Sequence, residues 1–281
     1  MNLLKSLFIS FVLTFWLGLT LYAGYLLYTG GNGRLVLALA LAGGVPLTFF
    51  ILLMGCRPAA RIADSGLHII TLVILVGVIV LFYNGWPPEV GRWWAGAVVL
   101  SPVLWLLYVY WYSRLPAAAR QWRAGERLPE LTFADVDGQP VTSKQWLGKK
   151  VLYMFYRGNW CPLCMAQIKE IAAGYRQLKV AGVQVVLVSP QPAGYSRQLA
   201  HKYDADLTFL VDHDNRMARK LGIAHAFGTP AGMQVLGYDS TTVLPTVLLV
   251  DEAAKVMLAA QTDNYRLRPE PQIFLQLINN R

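Results

Sequence analysis

Two cysteines three residues apart, Cys161 and Cys164, carry the sharpest chemical signal in the chain, in the segment Trp160-Cys161-Pro162-Leu163-Cys164. A continuous apolar, β-rich run (VLYMFY, Val151 to Tyr156) precedes them. Apolar residues at helical spacing follow: Met165, Ile168, Ile171, Ala172, Tyr175 and Leu178. The spacing predicts a helix over Cys161 to Leu178 with both cysteines in its first turn. There they can close a small disulfide ring, and the helix N-terminus stabilises a thiolate. Pro162 suits that turn, where its missing N–H costs nothing. Reversible dithiol–disulfide chemistry is what a Cys-x-x-Cys between strand and helix offers. The competing use of the pair is half a zinc site, but a closed zinc site needs four Cys/His ligands. The only further cysteine is Cys56, and His201, His213 and His225 show no paired ligand spacing. Neither a metal nor an organic cofactor is expected.

A second signal is Leu244-Pro245-Thr246, directly before the strand-like run TVLLV. Proline is admitted at the first residue of a strand. By sequence alone it marks a strand start.

The elements that must position these residues alternate. A hairpin is expected over Leu131 to Val136 and Gln139 to Thr142, around the Asp137-Gly138 turn. Strands follow at Val151–Tyr156, Val183–Ser189 and Leu207–Val211. Helices are expected at Tyr195–Tyr203 and Asn215–Leu221, the latter closed by Gly222. Residues Ile223 to Thr242 read as an insertion or long loop. Strands at Thr246–Val250 and Lys255–Ala260 and a helix at Glu270–Asn280 complete the series. Alternation of this kind implies a mostly parallel sheet with helices on both faces.

That segment is only half of the 281-residue chain, which is 55% hydrophobic and 15% charged, with a mean hydropathy of +0.40. Such values are foreign to a single soluble globule. Residues 1–125 hold eight Lys/Arg against two Asp/Glu, and residues 126–281 hold seventeen against fourteen. Four apolar stretches approach the roughly 20 residues needed to cross a hydrocarbon layer: Leu7–Tyr28, Leu35–Met54, Leu67–Tyr83 and Trp93–Tyr112. The third is the shortest and carries His68, read as an interfacial or helix-contact residue. Trp86, Trp93, Trp94, Tyr108, Trp111 and Tyr112 gather near span ends, where amphipathic rings prefer to lie. The first stretch is too long for a signal peptide and lacks a small-x-small cleavage site, so it is read as retained. Lys5, Arg57, Arg61, Arg114, Arg120 and Arg123 on one side, against Arg34 and Arg92 on the other, put both termini in the cytoplasm. The spans hold no internal acidic residue, Lys or Arg, and they read as an anchor. Cys56 falls on the same side as the soluble half and is read as a small buried residue. The positive balance orients membrane helices, and no nucleic-acid partner is expected. The expected layout is a four-span region over 1–112, a linker over 113–127 and a redox domain over 128–281.

Residues from about 126 onward resemble the peroxiredoxin-like branch of the AhpC/TSA family, within the thioredoxin superfamily. The matching pieces are Phe155 to Cys164 (FYRGNWCPLC), Val188-Ser189-Pro190-Gln191, Leu210-Val211-Asp212 leading to Ala218-Arg219-Lys220-Leu221-Gly222, the Leu-Pro-Thr strand entry, and Asp263 to Pro271 (DNYRLRPEP). The resemblance implies a thioredoxin-like α/β fold, a central mixed sheet flanked by helices, in which Pro245 is typically cis and faces the cysteines. It implies antioxidant thiol chemistry. In the family's Thr-x-x-Cys pattern, Cys161 stands at the Thr and Cys164 at the peroxide-attacking position. The family's usual Arg near the proline is missing from Thr242-Val243-Leu244-Pro245; Arg157, or else Arg266 or Arg268, could supply positive charge, though none stands at the family's usual place.

Two mechanisms use the same pair. In one, Cys164 attacks a peroxide and Cys161 condenses with the resulting sulfenic acid. In the other, Cys161 attacks a protein disulfide and Cys164 resolves the mixed disulfide. Arg157, Trp160 and Pro245 support either. The expected activity is that of a membrane-anchored oxidoreductase, reset by a thiol system such as thioredoxin or glutathione, with the lipid bilayer as its other partner. A rival reading is a non-enzymatic membrane interaction or metal-binding module.

Overall fold

The computed structural model describes residues 2–55, 60–62, 64–83, 92–203 and 206–279. Cys56, Arg57 and Trp86 lie outside them. The chain divides into two compact units, one of Leu7–Cys56 and Ile62–Arg114, the other of Met1–Ser6, Arg57–Arg61 and Leu115–Arg281.

The apolar unit is helical. Helix α1 spans Asn2–Tyr28, α2 Gly33–Leu39, α3 Val45–Gly55, α4 Asp64–Phe82 and α5 Arg92–Leu107. A wider π-turn over Ala40–Gly44 joins α2 to α3 without a break, and a second over Tyr108–Tyr112 extends α5. Three of these helices, Asn2–Tyr28, Gly33–Gly55 and Trp93–Tyr112, are long and apolar enough to cross a membrane. The apolar part of the fourth, Gly66–Phe82, is shorter. Small residues let the backbones approach: a Cβ on Gly43 would come within 2.5 Å of Leu19 Cβ. Buried Ser101 donates its hydroxyl to the carbonyl of Ala42 within the first π-turn, and accepts from Trp16 Nε1 at 3.1 Å.

The second unit is built on a seven-stranded sheet. Its strands are β1 (Thr132–Ala134), β2 (Pro140–Thr142), β3 (Lys150–Phe155), β4 (Val183–Ser189), β5 (Thr208–Val211), β8 (Thr246–Val250) and β9 (Val256–Gln261), in the order β2-β1-β5-β4-β3-β8-β9. Only β3–β4 and β4–β5 are parallel; the other pairings are antiparallel. The sheet is therefore mixed rather than mostly parallel. Those two neighbouring pairs are joined through crossover helices, while the hairpins at both ends reverse the chain directly. The run Ile223–Thr242 is more structured than a loop: β6 (Ala224–His225) pairs with β7 (Thr242–Val243), with a 3-10 turn at Met233–Leu236 between them.

Strand β3 shows how its sequence serves two layers. Val151, Tyr153 and Phe155 point into a core with Trp122, Phe133, Leu210 and Leu248. Leu152 and Met154 alternate to the other face and are equally buried. On that face lie α6 (Pro162–Ala173), α7 (Tyr175–Val180) and α8 (Ala193–Lys202), with α7 against β4 and α8 against β5. The short helix α9 (Arg216–Lys220) contributes Ala218 to the first core, and α10 (Pro271–Asn279) buries Phe274. The single helix expected over Cys161–Leu178 is two, because the chain breaks at Gly174 (φ −86°, ψ 0°).

Candidate active site

Strand β3 ends at Phe155 and delivers a five-residue loop, Tyr156 to Trp160, to the start of α6. Cys161 is the N-cap of that helix, Pro162 opens its first turn, and Cys164 sits one turn in. Gly158 has φ +149°, a conformation L side chains rarely adopt, and a Cβ there would lie 2.6 Å from Trp160 Nε1. Glycine lets the chain fold back under the indole. Gln191, just after β4, pins the loop: its Oε1 accepts from Asn159 N at 2.8 Å, and its Nε2 donates to Tyr156 Oη at 3.1 Å and to Ser196 Oγ at 3.0 Å. The Tyr238 hydroxyl donates to Asn159 Oδ1.

Both cysteines are buried, and the Cys164 thiol donates to Cys161 Sγ across 2.7 Å. Burial opposes ionisation of each. At Cys161 it is outweighed by the Cys164 S–H and by the positive charges of Arg157 and Arg268, which draw its pKa down to about 6. At Cys164, burial and then the hydrogen bond and charge of Cys161 push the pKa well above the ordinary thiol value, with Arg268 only partly opposing them. The pair is thus biased toward a thiolate on Cys161 with Cys164 as its proton donor.

Arg157 is buried. Its guanidinium lies 4.7 Å from the centre of the Trp160 ring and donates to the carbonyl of Gly228. Its own carbonyl accepts from Thr242 Oγ1 at 2.8 Å. The Arg157–Trp160 pairing brings together two residues the sequence singles out separately. Pro245 is buried at the entry to β8, which pairs with β3 so that Thr246 opposes Phe155. The Leu244–Pro245 bond is trans, since the described residues contain no cis peptide bond, which corrects the isomer the resemblance implies.

Four further residues belong to this neighbourhood. The sequence offers Arg268 only as one of three charge sources, and it is the one, with Arg157, whose charge reaches Cys161. Gln191 is visible in the sequence as a motif residue without a role. Buried Gln167 and His225 carry no sequence signal that separates them from ordinary core positions.

The AhpC/TSA family model matches residues 124–259. A chloroplastic peroxiredoxin Q of Sedum lineare is 30% identical over 124 residues, covering 44% of this chain and 67% of that protein. A chloroplastic peroxiredoxin Q of Oryza sativa subsp. japonica is 30% identical over 121 residues, covering 43% of this chain and 56% of that protein. The chain thus spans just over half the length of the rice relative. Among solved structures, peroxidoxin BcpB from Mycobacterium tuberculosis matches with a TM-score of 0.48 and 16% identity, over 57% of this chain and 98% of that one. Reduced Prx3 of Vibrio vulnificus, in complex with hydrogen peroxide, matches with 0.48 and 18%, over 56% and 99%.

Proposed function

Because the chain belongs to the AhpC/TSA family, we propose that it is a peroxiredoxin-like thiol peroxidase that cycles Cys161 and Cys164 between dithiol and disulfide. The observation that carries this reading is the 2.7 Å Cys164-to-Cys161 thiol contact at the N-terminus of α6. The Cys161 thiolate attacks one oxygen of ROOH. An S–O bond forms, the O–O bond breaks, and the departing alkoxide takes a proton to leave as ROH. Cys164 then attacks the sulfenic sulfur, the S–S bond forms, and hydroxide leaves as water. The two electrons lost by the dithiol are those that reduce the peroxide. Two thiols of a thioredoxin- or glutathione-type system restore the pair by exchange. Arg157 and Arg268 supply the charge that keeps Cys161 ionised, and Trp160 and Pro245 shape the approach. The family's Thr-x-x-Cys pattern puts attack at Cys164, but the lowered pKa favours Cys161.

A second reading rests on the same asymmetry. A low-pKa Cys161 at the N-cap and a fully buried Cys164 are also what a protein disulfide reductase needs, with Cys161 attacking and Cys164 resolving. Stopped-flow oxidation of the reduced full chain in detergent separates the two, using hydrogen peroxide and, in parallel, a model protein disulfide. Rapid peroxide oxidation lost in Cys161→Ser supports the peroxidase. Rapid peroxide oxidation lost only in Cys164→Ser returns the attack to Cys164. Slow peroxide oxidation with rapid disulfide exchange establishes the reductase.

The proposal includes a four-span anchor over residues 1–112, a linker over 113–127 and a catalytic domain over 128–281 in the cytoplasm. Support comes from three helices of spanning length and apolarity and from the Lys/Arg bias of the short loops. An impermeant maleimide should leave a cysteine introduced near the C-terminus unlabelled in intact cells. Labelling there would reverse the orientation.

A further inference from the structure

By sequence, Arg61 is one of the loop cations that orient the apolar helices. The structure gives it a larger part. Ala60 and Arg61 come from the chain between α3 and α4, yet they belong to the compact unit of the seven-stranded sheet. There Arg61 meets the last turn of α6. Its Nη2 and Nη1 donate to Glu170 Oε1 and Oε2 at 3.0 and 3.3 Å, and Ala60 N donates to Oε1 at 3.1 Å. This is the two-pronged pairing that fits a guanidinium to a carboxylate. The same Nη1 also donates to Arg268 O at 3.4 Å, and Nε lies 3.5 Å from Glu270 Oε1. One side chain thus fastens the cysteine helix to the stretch just ahead of α10.

That stretch needs fastening from outside. Leu267 to Glu270 forms neither helix nor strand, so no ladder of backbone hydrogen bonds fixes it. Arg268 nonetheless has to be held in place, because its side chain is buried and its charge, with that of Arg157, favours the Cys161 thiolate. Attraction between charges weakens with their separation and with any water admitted between them. An Arg268 whose backbone swings outward therefore loses its hold on the sulfur. Glu170 stands six residues after Cys164 on the same helix, so a clamp from Glu170 to the Arg268 carbonyl sets how far Arg268 lies from the cysteines. Isolated surface ion pairs contribute little, whereas a two-pronged pair within a network can hold a geometry. Arg61 and Glu170 form such a pair and are only 29% and 23% exposed.

We propose that Arg61 is a positioning residue for the cysteine pair, clamping Glu170 of α6 to the backbone of Arg268 so that the Arg268 guanidinium stays within reach of the sulfurs. The inference rests on the reading that the Cys161 thiolate is the reactive group. Arg61 acts through Arg268 rather than on the sulfurs themselves. The chain between two apolar helices thereby contributes to the redox site, beyond any anchoring.

The test follows iodoacetamide alkylation of Cys161 against pH in the reduced full chain in detergent, read at that residue by tandem mass spectrometry so that Cys56 and Cys164 do not contribute. No peroxide is present, so failure of the peroxidase reading shows separately, as inertness to hydrogen peroxide. Arg61→Met and Glu170→Leu should each raise the Cys161 midpoint by roughly half a pH unit or more, about a threefold loss of rate on the acid side. Arg61→Lys should keep part of the parent behaviour. Glu170→Leu is the sharper variant, because removing a carboxylate from α6 would by charge alone lower the midpoint. A rise there reports Arg268 moving away. In an Arg268→Met background, whose midpoint is already raised, neither substitution should add a further shift. An unmoved midpoint in either variant, a fall in Glu170→Leu, or a shift that persists in Arg268→Met overturns the proposal, whatever the melting temperature does. If Arg61→Met or Arg268→Met does not fold, the sign of the shift in Glu170→Leu decides.

Discussion

Cys164 donates its thiol proton toward Cys161 across 2.7 Å, which makes the outer sulfur of the pair the acceptor and the inner one the donor. Ionisation of Cys161 is therefore tied to the protonation of Cys164. With Cys161 near 6, alkylation of the reduced protein by iodoacetamide should be flat above neutral pH and drop about tenfold per unit below pH 6, as thiolate is lost on acidification. In Cys164→Ala the S–H donor is gone. The midpoint should move up toward the ordinary thiol value of about 8.5. A midpoint that stays near 6 in that variant would assign the shift to the two arginines alone.

The loop before the pair depends on a backbone that only glycine adopts without strain. Gly158→Ala must displace either the loop or the Trp160 ring, since its Cβ would meet Trp160 Nε1 at 2.6 Å. The expected cost is about 1–3 kcal/mol, seen as a lower melting temperature, together with altered tryptophan fluorescence. An unchanged melting temperature and spectrum would show that the loop has another resting conformation.

Local signals made the chemistry legible. Cys161, Pro162 and Cys164 announce themselves by residue type, and VLYMFY and VQVVLVS match β3 and β4 nearly residue for residue because a doubly buried strand has an unbroken apolar run. Long-range facts were hidden. Whether neighbouring strands run parallel depends on which edges β1, β2, β8 and β9 find, and no spacing within those short strands records that choice. Gly174 could have betrayed the break between α6 and α7, but helical periodicity runs straight through it. Arg268 lies more than a hundred residues after Cys164. Its influence on the sulfurs exists only once the chain has returned beside β8. The trans bond at Pro245 shows the converse limit, in which a family habit predicts a local geometry this chain does not have.

Gln191, just after β4, ties the Tyr156–Trp160 loop, through Asn159 N and Tyr156 Oη, to α8 through Ser196 Oγ. Gln191→Leu keeps the bulk, takes a donor from the buried Tyr156 and Ser196 hydroxyls and leaves the Asn159 amide N–H unmet, costing about 1–3 kcal/mol for each group that cannot find water. The freed Asn159 segment should also loosen the approach to Cys161. Hydrogen exchange at residues 156–160 is the direct readout, and the prediction is faster exchange there than in the body of β3. Equal protection in variant and parent would reduce Gln191 to a passive core residue.

His225 gives the molecule an acid-sensitive point within reach of the Arg157 charge. It is buried, both ring nitrogens lack partners, and burial followed by the charge of Arg157 lowers its pKa to about 3. Below pH 6.5 the unfolded chain takes up a proton there that the folded chain refuses. Stability from this residue is thus undiminished above pH 6.5 and declines as pH falls toward 3, by at most about 1.4 kcal/mol per pH unit. Thermal unfolding of the full chain in detergent at pH 7, 6 and 5 stays largely above the ordinary carboxylate range. His225→Leu has no proton to bind in either state. Its melting temperature, whatever its value at pH 7, should therefore fall less steeply with acid than that of the parent. Parallel slopes would mean that the folded protein protonates His225 readily, and that the imidazole has a partner or a water at hand.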